Sequence, residues 1–408
     1  MKTVFFDRVY QYSQSEKSFF RWTIWSVVLG IIYPVVNNGS FLTNLISLLS
    51  TIFAIVAIIN FYSNSESPKT TGMVKFFAVV AVYMFLVGVV GGSLSVGKTT
   101  LLLTITQDLR YVALFWLGGL YASSDKYMAF FHIIMKRLAW IAVLMCLLAL
   151  ILILGTGSFN QRESEDNLIY HLWWSATGMM YCCYFGLMVE SKDRKQFILV
   201  LVFYFVLGMA FLKRSCFIDT LLILALSLFI SSRNKGGNKT FRIILILVVI
   251  MVVLLSLFPA INNVVFSALF DRFNSVDTLD EFDRVIETNQ FLSNTTKWQR
   301  LFGFGIGNYL TYDRYDTGGS SLLNALHLGY MNIVYKGGVL YVLFYIILYF
   351  KIFKVWFKKY HKPVFYYVCL GVAISSLVSL LYEGSWTYTI TPFCISAPIF
   401  YAANYKRL

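Results

Sequence analysis

Eleven of the 34 lysines and arginines lie where a membrane chain has reason to avoid them, and two of these, Arg214 and Arg284, accompany a solitary His327. Lys213-Arg214-Ser215 interrupts an apolar run over 197–230, with Asp219 about one turn further on. A guanidinium beside hydrocarbon is costly unless it faces a polar cavity or a bound anion. Its planar fork grips phosphate oxygens two at a time and stays charged at any physiological pH. Arg214, Arg284 and Arg300 together, with Lys213 adjoining, therefore suggest a phosphate-binding surface. Arg110, two residues after Asp108, enters the run 101–121 and is a further candidate for the same cavity. His327 and Tyr330, three residues apart, share a helical face that Asn324 can join. An imidazole titrating near neutrality suits proton transfer. Glu383 is a second candidate base or orienter. The competing readings are a snorkelling Arg214 or one paired with Asp219, ordinary loop arginines at 284 and 300, and a structural histidine at 327.

The elements that would position these groups are membrane helices. Of 408 residues, 58% are hydrophobic and 13% charged, and the mean hydropathy is +0.68. Soluble domains carry about a quarter charged residues. Apolar runs over 22–36, 41–62, 76–92, 101–121, 138–154, 170–189, 197–212, 216–230, 243–260, 323–350, 364–382 and 389–405 approach the length of about 20 residues that crosses a bilayer as helix. They lack the alternation of barrel strands. The expectation is an all-α polytopic protein with about twelve spans, 1–408 forming a single transmembrane domain. With the N-terminus inside, 23 basic and 6 acidic residues fall on the cytoplasmic side, which puts both termini there. The formal charge of +14 then reflects topology and contact with membrane lipids, and nucleic acid need not be invoked.

One connection is long. Residues 265–322, between the ninth and tenth spans, form an external loop expected to carry short helices and to act as a lid. Phe273, Phe282, Phe291 and Trp298 are the side chains that could dock it. Gly92-Ser-Leu-Ser-Val-Gly97-Lys98-Thr99 spells a phosphate-binding loop, but it follows a membrane span where that motif needs a strand in a cytosolic α/β domain. The acidic groups Asp277–Asp283 and Asp313–Asp316 each contain or adjoin an arginine and read as solvated acids, so the chemistry expected is metal-independent and without cofactor. The six cysteines lie in or at the ends of apolar runs and read as small buried hydrophobes.

The flanked Arg214 after the seventh span, Arg300-Leu-Phe-Gly-Phe-Gly-Ile-Gly307 late in the long loop, and His327 ahead of Gly337-Gly338 resemble the O-antigen polymerase and O-antigen ligase superfamily. The similarity runs from about Lys213 to Gly338, and the family's His-Asn is His327-Leu328 here. The resemblance implies a C-class glycosyltransferase-like membrane fold in the bacterial inner membrane, its site facing the periplasm. It also implies a glycan donor on undecaprenyl pyrophosphate and inverting transfer to a sugar hydroxyl. Arg214 and Arg284 would clamp the diphosphate and His327 would act on the attacking hydroxyl, in lipopolysaccharide or related surface polysaccharide synthesis with a chain-length regulator as partner. A compact loop and an aromatic-rich chain favour polymerase over ligase, with a lipid-linked oligosaccharide flippase as the alternative from another class.

Overall fold

The structure is a computed structural model that describes residues 2–5, 8–36, 41–91, 101–156, 168–187, 199, 201–203, 205, 214–232, 279–308, 310–313, 320–323, 326, 329–358, 362–380 and 390–405. The expected spans at 197–212 and 243–260 fall wholly or mostly outside these residues, as does the loop-like motif at Gly92–Thr99.

The chain opens with a small hairpin, β1 (Lys2–Phe5) and β2 (Arg8–Gln11), in which Lys2 pairs with Gln11 and Phe5 with Arg8. Helices follow: α1 (Gln14–Val35), α2 (Phe41–Ser63), α3 (Gly72–Gly91), α4 (Leu101–Tyr121), α5 (Asp125–Thr156) and α6 (Leu168–Gly178). A 3-10 stretch spans Met180–Leu187. Next come α7 (Arg214–Ser232), α8 (Leu279–Asn294) and α9 (Lys297–Phe302), a second hairpin of β3 (Leu310–Asp313) and β4 (Ser320–Leu323), then α10 (Gly329–Trp356), α11 (Val364–Ser379) and α12 (Thr391–Asn404). Among the described residues five helices are long and apolar enough to cross a membrane: Gln14–Val35, Phe41–Ser63, Gly72–Val89, Asp125–Gly155 and Gly329–Trp356. The chain is thus a predominantly helical protein of membrane type.

Local chemistry explains where these helices start and how they meet. Ser13 and Glu16 form a capping box at the head of α1, each satisfying an amide of the other. The Glu16 carboxylate also takes the Lys126 ammonium at 2.6 Å, which ties the start of α1 to the start of α5. Above that tie Phe19, Phe20, Phe61, Tyr121, Tyr127 and Phe130 pack ring on ring, with Phe20 and Phe130 stacked at 3.8 Å. Small residues let α1 and α2 approach closely. There Ser26 and Ser50 donate reciprocally to each other's carbonyls at 2.7 and 2.8 Å. Cys146, Cys182, Cys369 and Cys394 are buried in the core, the role their apolar neighbourhoods foretold.

Helices α3 and α10 run antiparallel. Phe77 and Phe344 meet at 5.3 Å near one end, and Met84 and Tyr335 flank a common segment towards the other. We call the end at which α3 finishes and α10 begins the top of the bundle. Helix α10 is broken within its first half: Gly338 has φ 53° and ψ −150°, which no L side chain adopts readily.

Candidate functional site

The break in α10 is filled by another part of the chain. Residues 303–308, Gly-Phe-Gly-Ile-Gly-Asn, leave α9 and pass between α3 and α10 as an irregular strap. Breaking a helix at residue 338 frees the carbonyls of the preceding turn, and those carbonyls need donors. The strap supplies them: Phe304 N–H donates to Tyr335 O at 2.7 Å and Gly305 N–H to Lys336 O at 2.9 Å. Across the strap Ile306 N–H donates to Met84 O on α3 at 3.0 Å. Asn308 donates its amide to the carbonyls of Gly88 and Phe304, and Tyr335 Oη donates to Asn308 O at 2.8 Å. Irregular backbone at such depth is tolerated where protein satisfies its polar groups, as here.

Two glycine contacts set this geometry. Gly305 has φ +71°, and a Cβ there would overlap the backbone of Gly88 and Met84. Gly303 (φ +75°) and Gly338 lie backbone to backbone, so neither leaves room for a side chain.

At the strap's far end sits a buried ion pair. Lys336 Nζ lies 2.6 Å from Asp108 Oδ2, and the two side chains are only 9% and 4% exposed. The same Oδ2 accepts the Gly307 amide at 3.0 Å. One carboxylate oxygen of α4 thereby joins the strap and α10. Beside it a cleft lined by Met84, Asp108, Tyr111, Ile306, Asn332 and Lys336 holds about 20 Å³, space for a water molecule. A row of hydroxyls leads from this cleft into the bundle, Tyr111 to Tyr341 at 2.9 Å and Tyr341 to Tyr345 at 3.4 Å.

Helix α8 is held to the same place. Phe291 is fully buried against Tyr335, edge to face at 5.8 Å, and joins Leu326, Met331 and Phe304 in a separate apolar cluster. Phe291 is therefore one of the four aromatic docking residues expected of the long loop. Trp298 behaves differently: it is 68% exposed and stacks on Phe302 within α9.

The sequence candidates distribute as follows. Arg284 lies in α8, three positions before buried Glu287 and seven before Phe291, a spacing that sets the three positions along one face. Arg214 is the first residue of α7. For both the structure describes the helical backbone alone. Lys213, Asn324, His327 and Glu383 fall outside the described residues, although Leu326 and Gly329 on either side of His327 are buried. Tyr330 is 45% exposed at the head of α10, its amide donating to Leu380 O at 3.2 Å. Arg300 is half-buried, and its Nε donates to Thr296 O at 3.4 Å.

Arg110 is fully buried over the Tyr33 ring at 3.8 Å, with Nη1 donating to Ser47 at 3.3 Å. Residues two apart on a helix point to nearly opposite sides. Arg110 thus faces α1 and α2 while Asp108 faces the strap and α10, and the structure does not bring Arg110 into the cleft. The pair Asp108–Lys336 was not singled out from sequence. Its signal was there, since opposite charges inside two apolar runs, 101–121 and 323–350, are an ion-pair pattern. Compared with known proteins, the chain matches no family model, no curated protein and no solved structure.

Proposed function

We propose that the protein is a polytopic glycosyltransferase of the bacterial inner membrane, with about twelve spans in a C-class-like fold and a site facing the periplasm, that polymerises undecaprenyl-pyrophosphate-linked oligosaccharide units. The observation that carries this reading is the docking of α8. Phe291 pins the helix that bears Arg284 to Tyr335, in the helix that His327 precedes in sequence, and this supports a joint role for a cation suited to a diphosphate and the imidazole. In the reaction, the acceptor hydroxyl oxygen bonds to the anomeric carbon as that carbon's bond to the diphosphate oxygen breaks. The hydroxyl proton passes to His327, and Arg214 and Arg284 neutralise the departing diphosphate. Lys213, Arg300, Tyr330, Asn324 and Glu383 are its surrounding polar groups. Arg110 lies over the Tyr33 ring and donates to Ser47, on the side of α4 that faces α1 and α2. The reading predicts that Arg284→Ala or His327→Ala leaves single repeat units on a laddering gel and removes the long chains; normal ladders from either variant refute the assigned roles.

A second reading has an observation of its own. A transporter of lipid-linked oligosaccharide would be expected to carry a discontinuous helix and paired charges at membrane depth. The break at Gly338 and the Asp108–Lys336 pair are of that kind. The two readings part on the product: new glycosidic bonds in one, unaltered units on the opposite side of the bilayer in the other.

A further inference from the structure

We propose that α9 is a re-entrant foot of the loop segment, sunk into the lipid leaflet at the top of the bundle. Depth is the first argument. Tyr83 on α3 donates its hydroxyl to Phe302 O at 2.6 Å, and Leu301, Phe302 and Gly303 lie against the backbone at Gly338. Tyr83 precedes Val89 by six residues, which is about 9 Å along a helix. Yet α3 still presents apolar side chains outward above Tyr83, at Phe85, Leu86 and Val89, the last of them 61% exposed. An exposed apolar side chain on a membrane-crossing helix faces hydrocarbon, so the end of α9 sits below the level that hydrocarbon reaches on α3. From that level the strap climbs back along α3, Ile306 meeting Met84 O and Asn308 meeting Gly88 O.

The second argument is the face that α9 leaves uncovered. Trp298, Leu301 and Phe302 are exposed together, and Val339 and Leu343 continue the same kind of surface on α10. Lys297 and Arg300 lie on the same short helix, long enough to raise their charges towards anionic phosphate headgroups while their stems stay in the apolar zone. An indole beside basic side chains is the composition that settles at a membrane interface. Internal bonds lower the backbone cost of the placement: the capping box satisfies the amides of Thr296 and Gln299, and the freed carbonyls of α10 take those of Phe304 and Gly305. The inference is independent of glycosyl transfer: any function in which α3 and α10 cross a bilayer places α9 in lipid.

The test uses the full chain in proteoliposomes, with its six native cysteines replaced and one cysteine returned at a time for labelling with an environment-sensitive fluorophore. Phe302→Cys and Trp298→Cys are expected to lose fluorescence to lipids carrying a nitroxide on the acyl chain and to resist aqueous iodide. Ser293→Cys, exposed at the end of α8, is the reference and should show the reverse. Iodide quenching at 302 and 298 equal to that at 293 overturns the proposal. So does resistance to both quenchers, which would mean that protein covers this face.

Discussion

Replacing Lys336 with methionine keeps an unbranched side chain, one atom shorter, and removes its charge, and the surrounding contacts fix what that should cost. The ammonium is 2.6 Å from Asp108 Oδ2, and neither side chain is more than a tenth exposed. With lysine gone, the carboxylate keeps the Gly307 amide as its partner of record and must remain charged in an apolar bundle or take up a proton. Breaking a buried pair from one side costs about 3–5 kcal/mol, because the stranded charge is paid for in full. Asp108→Asn strands the ammonium instead and should cost a similar amount, although its amide oxygen can still accept from Gly307. Combining the two removes both charges and retains that acceptor. The double variant should then be near wild type, within roughly 1 kcal/mol, since neutral replacements for buried pairs are often harmless. The assay is denaturant unfolding in detergent micelles across the four corners of the cycle. The reasoning fails if the double variant loses the sum of the two single losses, or if either single loss is below about 1 kcal/mol.

Gly305→Ala should undock the strap, since its Cβ would overlap Gly88 and its φ of +71° disfavours any side chain. Hydrogen exchange should rise at the amides of Phe304, Gly305 and Ile306 and remain unchanged in α1 and α2. Phe291→Ala should release α8 from Tyr335 at a local cost of about 3 kcal/mol, read as new protease cleavage between Phe291 and Trp298; uncut protein would contradict the docking. Tyr83→Phe deletes the hydroxyl that holds Phe302 O and should weaken strap protection by about 1 kcal/mol, a smaller effect than Gly305→Ala in the same exchange experiment.

Helix existence was legible where apolar runs are long and uninterrupted, as in α2 and α3. It was less legible where charges punctuate a helix that continues. The expectation centred the fifth span on 138–154, whereas α5 starts at Asp125: its first turns carry Lys126, Lys136 and Arg137 but bury Phe130 against Phe20 of α1, Phe131 against Tyr121 of α4 and Met135 against Cys182. Likewise α1 starts at Gln14, ahead of the expected 22, because Ser13 and Glu16 cap it. The two hairpins were not foreseen, since strands of four residues are too short for a period of two to stand out. The strap was visible only as a glycine pattern. Why the glycines recur depends on partners far away, Gly88 on α3 and Gly337-Gly338 on α10, and a backbone-to-backbone approach leaves no local trace in sequence. Helical phase decides which charges meet: Arg110, two residues after Asp108, turns to Tyr33 and Ser47, while Asp108 turns to Lys336.

Formation of glycosidic bonds on a lipid-linked donor, as proposed, is tested with the purified protein in liposomes and one defined polyprenyl-diphosphate-linked repeat unit, without ATP or divalent metal. Lipid-linked products longer by whole units are expected, together with free polyprenyl diphosphate. Repeat units recovered at their original length, whether or not they have crossed the bilayer, would contradict it.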